Sequence, residues 1–203
     1  MKIVFQDIDG VLNNYDVVQR ASFADDGTAL RSNLGEEHIQ RLNRLVEQTG
    51  AVLVISSTWR KFHDVMDFRE AFKDRGFTGK ILSVTPVLNT DRGLEIQKFL
   101  DEVKDYYDVE KFVILDDDSD MAHLKDFHVK TNMVTGLTDE HVDEAVKKLE
   151  GAKPKYEFVK QKVERRLDDE HRELRDDDGA AAGRGQPHVR GVRVAAERQR
   201  RQR

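Results

Sequence analysis

Two carboxylates one residue apart, Asp7 and Asp9, end a short apolar run in the stretch VFQDIDGVLNN, and Gly10 follows at once. Ile3, Val4 and Ile8 are β-branched and Phe5 is aromatic, which predicts a buried strand over Lys2 to Ile8. On extended backbone, side chains two apart point the same way. Both carboxylates are therefore expected to project from the strand's carboxyl end, with Gly10 releasing the chain through a conformation that other residues resist. Two anions so placed repel, and the repulsion raises one pKa unless a cation compensates. One carboxylate is then ionised for attack while the other can hold a proton. Asp and Gly are also ordinary turn residues, so this stretch alone does not separate a site from a loop.

Two more polar clusters close apolar runs in the same way. Ala51 to Ile55 leads into Ser56, Ser57, Thr58, Trp59 and Arg60, and Lys111 to Leu115 leads into Asp116, Asp117 and Asp118, with Asp120 beyond. Neither acidic stretch fits a calcium loop. Gly10 falls at the fourth place from Asp7 where the template needs the sixth, and in Asp116 to Phe127 Met121 replaces the glycine and Phe127 the bidentate glutamate. Lys80 after Gly79 is not a phosphate-binding loop, because the earlier glycine is missing and Ile81 stands where a hydroxyl residue is required.

The elements that must position these clusters alternate. Glu36 to Gln48 places Ile39, Leu42, Leu45 and Val46 on one helical face and stops at Gly50. After the strand at Ala51 to Ile55, a helix is expected over Phe62 to Arg75. A short strand follows at Ile81 to Val84, then a helix from Gly93 to Val103. Past the strand at Lys111 to Leu115 come a short helix beyond Ser119, a strand at Val129 to Val134, and a helix from Thr138 to Leu149 capped by Thr138. Asn13 to Gly35 shows no regular pattern and reads as a flap over a site. This alternation predicts an α/β fold with a doubly wound, mostly parallel sheet, helices on both faces, and a ligand crevice beyond the carboxyl ends of the strands. With the three polar strand ends adjacent, five carboxylates and a hydroxyl cluster converge, and an oxygen-preferring cation such as Mg²⁺ resolves their repulsion.

Composition narrows the class. The 203 residues allow one domain of ordinary size with an appendage. The absence of cysteine excludes disulfides and thiolate chemistry. The apolar runs are far short of a membrane span, and MKIVFQDIDG meets charge too early for a signal peptide, so a soluble, cytoplasmic protein without a membrane partner is expected. Residues 1–150 hold 19 Lys plus Arg against 29 Asp plus Glu, a net of −10, whereas residues 151–203 hold 15 against 10, a net of +5. Non-specific nucleic-acid binding comes from cations neutralising phosphates, so the acidic body is poorly suited to it.

FQDIDGVLNN, VLVISSTWR and FVILDDDSDM resemble the first, second and acidic fourth motifs of the haloacid dehalogenase (HAD) superfamily. The nearest subgroup is the small capless HAD domain of Swiss Army Knife RNA repair proteins, and the resemblance covers roughly residues 1–150. It implies a HAD-like Rossmannoid fold without a separate cap domain. It also implies a Mg²⁺-dependent phosphoric monoester hydrolase that works through an aspartyl phosphate. Carried over by position, Asp7 is the nucleophile and Asp9 the acid and later the base. Asp7, Asp9 (through its backbone carbonyl), Asp116 and Asp117 form the metal set, with Asp120 as an outer member. Ser56 or Ser57 binds the phosphoryl group, and Arg92, in preference to Lys80, is the basic residue. Arg60 is a candidate substrate contact, whereas Trp59 reads better as a core or rim aromatic. His123 and His128 flank the fourth motif and read as ordinary loop histidines.

The implied substrate is a phosphorylated one, with nucleic-acid ends or nucleotides on one side and small phosphate monoesters as the alternative. A receiver-like phosphoacceptor is the reading of another class. It requires its aspartate after the third strand, where this chain has Thr85 and Pro86. A non-catalytic binding domain is the other reading, and the full set of acid, base and metal residues opposes it.

The domain expectation is a HAD-like body over 1–152, a charged helical appendage over 153–175 with Tyr156, Val159, Val163, Leu167 and Leu174 in a thin stripe, and a disordered Arg/Ala/Gly-rich tail over 176–203. Usage changes along with charge: the first 162 residues carry 15 Lys and 8 Arg, the rest no Lys and 11 Arg. A tail of separate coding history or a shifted reading frame gives that change, and a nucleic-acid tether is the functional reading. Truncation after Ala152 is expected to leave the melting temperature and small-substrate turnover unchanged. A large drop in melting temperature would place residues 156–174 in the core.

Overall fold

In the computed structural model, which describes residues 1–21 and 28–151, the short apolar runs pair into a single parallel sheet. The described elements are β1 (Lys2–Gln6), α1 (Tyr15–Arg20), α2 (Thr28–Ser32), α3 (Glu36–Thr49), β2 (Val52–Ile55), α4 (Val65–Asp74), β3 (Ile81–Val84), α5 (Arg92–Val103), β4 (Lys111–Asp116), β5 (His128–Lys130) and α6 (Asp139–Glu150). Two 3₁₀ turns, Thr58–Lys61 and Ala122–Phe127, follow β2 and β4. The strand order is β3-β2-β1-β4-β5, and every neighbouring pair is parallel. The order reverses direction between β1 and β4, and such a switch point is where an open α/β sheet leaves a crevice at its carboxyl edge.

Strand parity divides the core in two. Val4, Leu53, Ile55, Val113 and Leu115 face α3, α4 and α6 through Leu42, Leu45, Phe72 and Val142. Ile3, Phe5, Val54, Phe112 and Ile114 face α5 through Ile96, Phe99 and Leu100. Phe5 anchors this second layer edge-on against Phe99 and Phe112, each ring 5.7 Å away, an arrangement that aromatic quadrupoles favour. Among the described residues no folded domain is inserted as a cap, and no helix is long and apolar enough to cross a membrane.

Four local expectations are corrected. The first strand stops at Gln6, not Ile8, because the Ile8 carbonyl accepts from the amides of Val11, Leu12 and Asn13 and turns the chain back. Asp7 and Asp9 therefore do not share one extended run. The stretch read as an irregular flap contains α1, capped by Asn14 through Val17 N at 3.0 Å, and α2. The helix expected from Phe62 begins at Val65, where the Asp64 carboxylate caps Met66 N and Asp67 N. The last strand spans only His128–Lys130, since the Asn132 side chain captures Val134 N and Thr135 N in a turn. Residues 153–175 and 176–203, expected to be helical and disordered respectively, lie outside the described residues.

Helix α5 begins against the loop after β4. Arg92 N donates to the Asp120 carboxylate at 2.9 Å and Gly93 N to the Asp120 carbonyl at 3.1 Å. A Cβ on Gly93 would lie 2.1 Å from the Met121 carbonyl oxygen, so only glycine permits this approach. Gly93→Ala would gain up to about 1 kcal/mol in helix propensity. Overpacking against backbone costs about 1–3 kcal/mol and outweighs it. The expected outcome is a lower urea midpoint with an unchanged slope. A midpoint equal to wild type would show that α5 can move off the loop freely.

Candidate active site

The register of the sheet builds the site. Gln6 pairs with Ile55 and with Leu115, and Ile55 pairs with Val84, so the next row across the carboxyl edge is Thr85, Ser56, Asp7 and Asp116. Backbone bonds continue the ladder into that row, from Thr85 N to Ile55 O, Ser56 N to Gln6 O and Asp7 N to Leu115 O. By strand parity these four residues follow Val54, Phe5 and Ile114 onto the face covered by α5. The first residue of α5 is Arg92, whose Nη1 lies 3.8 Å from Asp7 Oδ1 and 3.7 Å from Asp116 Oδ2.

Burial makes the electrostatics severe. Asp116 is 0% exposed and Asp7 4% exposed. Loss of solvent and the neighbouring Asp7 charge push Asp116 up to about 8, against the Arg92 charge that lowers it. Asp7 is also raised, first by burial, while Arg92, the Ser57 hydroxyl and the Ile8 amide favour its ionised form. Asp117, less buried, is raised by desolvation and by Asp7. Burial disfavours the Arg92 charge, but Asp7, Asp116 and Asp120 together hold its pKa above the ordinary value. This offsets the placement of a cation at a helix N-terminus.

Oxygens of Asp7, Asp116 and Asp117 lie within 4.8 Å of one another, a donor set suited to a hard divalent cation. Asp116 Oδ2 is buried with no hydrogen-bond partner, as are Arg92 Nη1, Ser56 Oγ and Thr85 Oγ1. Buried polar atoms are normally paired, so four orphans at one edge fit a site whose partners arrive with a ligand. Gly10 belongs to the same cradle. It has φ +65°, and a Cβ there would sit 2.5 Å from Asp117 Oδ2.

Asp9 is not brought into the carboxylate cluster. Its Oδ2 accepts from Trp59 Nε1 and its Oδ1 from Asn13 Nδ2, both at 2.9 Å, and Asn13 Oδ1 in turn accepts from Gly10 N at 2.9 Å. The turn at Ile8 is the reason. Ser57 and Ser56 are distinguished by their partners: the Ser57 hydroxyl bonds Asp7 and accepts from Trp59 N, whereas that of Ser56 is buried and unpaired. Arg60 is not available as a substrate contact, because its side chain is 1% exposed and paired with Glu95. Asp120 caps α5 instead of facing the carboxylate cluster. His128 Nε2 bonds the Asp116 carbonyl at 2.8 Å and His123 bonds Gln97 at 3.0 Å. Lys80 precedes β3, at the opposite edge of the sheet from Asp7.

Trp59, Asn13, Thr85 and Glu95 are the members that sequence reasoning did not assign. Asn13, four residues after Asp9 in a turn, and Thr85, at the end of an apolar run before Pro86, left a trace in the sequence. The Trp59 and Glu95 contacts span 50 and 35 positions, and only the fold brings them together.

Compared with known families, residues 3–142 match the model of the HAD domain in Swiss Army Knife RNA repair proteins. No curated protein and no solved structure matches the chain.

The raised Asp116 carries a testable sign. In metal-free protein its proton uptake on folding contributes stability that is present near pH 3.8 and lost as pH rises toward about 8. Asp116→Asn mimics the protonated group. Without metal, the variant should therefore gain stability relative to wild type between pH 5 and pH 8 in paired thermal melts. Mg²⁺ should reverse the gain at pH 8 by stabilising wild type alone. A wild-type–variant difference that stays flat with pH would contradict the buried-carboxylate account.

Proposed function

Since the chain belongs to the HAD domain family of Swiss Army Knife RNA repair proteins, a family of hydrolases, we propose that it is a Mg²⁺-dependent phosphatase acting through an aspartyl phosphate on Asp7. The observation that carries this reading is the row of Asp7 and Asp116 under Arg92, edged by buried polar atoms without partners. Asp7, Asp116 and Asp117 are the residues that would hold Mg²⁺, which supplies positive charge against the anionic phosphoryl group.

Every other step belongs to the chain's own groups. The Ile8 amide, 2.8 Å from Asp7 Oδ1, and the Ser57 hydroxyl orient the nucleophile. Ser56 Oγ and Arg92 Nη1, buried without partners, would take phosphoryl oxygens. A carboxylate oxygen of Asp7 attacks phosphorus, the bond to the leaving oxygen breaks, and Asp9 delivers its proton to that oxygen. Asp9, now ionised, takes a proton from water as the water oxygen attacks the same phosphorus. The Asp7–phosphorus bond breaks, releasing inorganic phosphate and restoring the carboxylate. Trp59 and Asn13 aim Asp9 by donating to its two oxygens, and the protonated oxygen can still accept while its own O–H points to the leaving group.

For substrate we favour a terminal phosphate on a polynucleotide, whose chain remains outside an edge that no described domain covers. Exposed Tyr15 and Phe62 lie on segments that follow the carboxyl ends of β1 and β2 and offer aromatic faces on which bases can stack. The association of the family with RNA repair points the same way.

Asp9→Asn is expected to lower turnover of an aryl phosphate by about 10²–10⁴-fold, the usual range for loss of a general acid. Asp7→Asn should remove turnover altogether while the fold survives, and wild-type turnover in that variant would sink the covalent mechanism. A panel of end-phosphorylated oligonucleotides, mononucleotides, sugar phosphates and phosphopeptides decides the substrate. A preference of about a hundredfold for sugar phosphates or mononucleotides, equivalent to about 2.7 kcal/mol, would remove the polynucleotide assignment.

A further inference from the structure

The Arg60–Glu95 ion pair is the most deeply buried one among the described residues that lies outside the carboxylate cluster, with side chains 1% and 5% exposed. Its hydrogen bonds reach several chain segments. Arg60 Nε donates to the Thr85 carbonyl at 3.1 Å, Nη1 to the Ser56 and Ser57 carbonyls at 2.6 Å each, and Nη2 to the Pro86 carbonyl at 3.4 Å and to the Glu95 carboxylate. The second Glu95 oxygen accepts from Leu88 N at 2.8 Å. One planar fork therefore ties the end of β2, the end of β3, the loop beyond it and the first turn of α5.

Those segments carry Ser56, Thr85 and Arg92, whose Oγ, Oγ1 and Nη1 are buried without partners. The carboxylates of Asp7, Asp116 and Asp117 lie at the carboxyl ends of β1 and β4 instead, and none of the hydrogen bonds of Arg60 goes to either strand. A buried ion pair is a poor source of stability, since apolar residues of similar volume hold a helix to a sheet as well or better. What apolar residues cannot do is fix several backbone carbonyls and a helix at set spacings, and a lysine with a single ammonium cannot either.

We propose that Arg60 and Glu95 are positioning residues for the phosphoryl-binding half of the site. They set the relative placement of Ser56, Thr85 and Arg92, and they reach the carboxylates that would hold a cation only indirectly, through Arg92 and through Ser57, whose hydroxyl bonds Asp7. Thr85 is thereby assigned to the phosphoryl-binding half, beside Ser56 in the cross-sheet row. This inference rests on the phosphatase reading for what the pocket holds.

The test uses the full-length protein and two separate titrations, inorganic phosphate at saturating Mg²⁺ by calorimetry, and Mg²⁺ alone. The double replacement Arg60→Met with Glu95→Leu removes the pair without stranding a charge, and Arg60→Lys keeps the charge but not the fork. Both are expected to raise the phosphate Kd, and KM where turnover is measured, by about tenfold or more, with a clearly smaller change in Mg²⁺ half-saturation, which Arg92 can affect only through its contacts with Asp7 and Asp116. Folded variants with wild-type phosphate affinity, or with phosphate and Mg²⁺ affinity lowered equally, would overturn the proposal. Should neither pair variant fold, Thr85→Val decides. It leaves the pair intact, a several-fold weaker phosphate Kd supports the assignment, and an unchanged one overturns it. Phosphate binding needs no turnover, so the two readings fail separately. Wild-type protein that binds phosphate but hydrolyses no ester defeats the enzymatic reading alone, and an active wild type with unaffected variants defeats this one alone.

Discussion

Asp7 and Asp116 stand side by side on adjacent strands, in register, where little water reaches them. Two carboxylates so placed cannot both stay ionised without a cation, because repulsion at short range is weakly screened in the interior. Arg92 is the chain's own partial answer, and a guanidinium at 3.7 and 3.8 Å from them balances one charge but not two. Much of the surrounding architecture follows from keeping that balance unfinished. Asp120 and the close approach at Gly93 hold Arg92 over the pair, and Gly10 leaves room for a third carboxylate, Asp117. The arrangement is stable only as a site that takes up a proton or a cation.

The strand order explains why this tension can be tolerated at all. At the switch point between β1 and β4 the connections leave in opposite directions, and a crevice opens that α/β sheets use for ligands. The sheet beneath is conventional. Apolar residues cover both faces, and Phe5 locks the central strand to α5 and β4 through two edge-on ring contacts. The rigid core sets the register to within a residue, and the register in turn sets which polar groups meet.

Three sets of contacts fall in three parts of the edge. Asp7, Asp116 and Asp117 form an acidic set at the carboxyl ends of β1 and β4. Asp9 is held apart by Trp59 and Asn13, so its carboxylate is not consumed by the cation site. Ser56, Thr85 and Arg92 are linked through the Arg60–Glu95 fork. Separation of this kind matters chemically. A group that must exchange a proton works best when it is not also a cation ligand, and anion-binding groups work best when fixed before the anion arrives.

Local signals carried much of this protein. The alternation of apolar runs and amphipathic segments determined the α/β class, and the three polar strand ends determined the acidic and hydroxyl clusters, since both depend on periods of two and 3.6 residues that any reader of the chain can count. Asp7, Asp116, Asp117 and Ser56 stood out as polar strand ends for that reason, whereas the choice of Arg92 came from the resemblance to the HAD motifs. The tertiary structure decided what those periods cannot encode. Turning of the chain at Ile8 separates Asp9 from Asp7, an outcome set by which amides the Ile8 carbonyl captures and not by spacing. Arg60 read as a candidate substrate contact until the fold placed Glu95, 35 positions away, against it. Trp59 read as a core or rim aromatic, and it does pack against the core, but only the fold shows that its indole N–H meets the Asp9 carboxylate across 50 positions. A side chain's role depends on its partner, and partners joined by sheet register and helix packing are invisible to any local pattern.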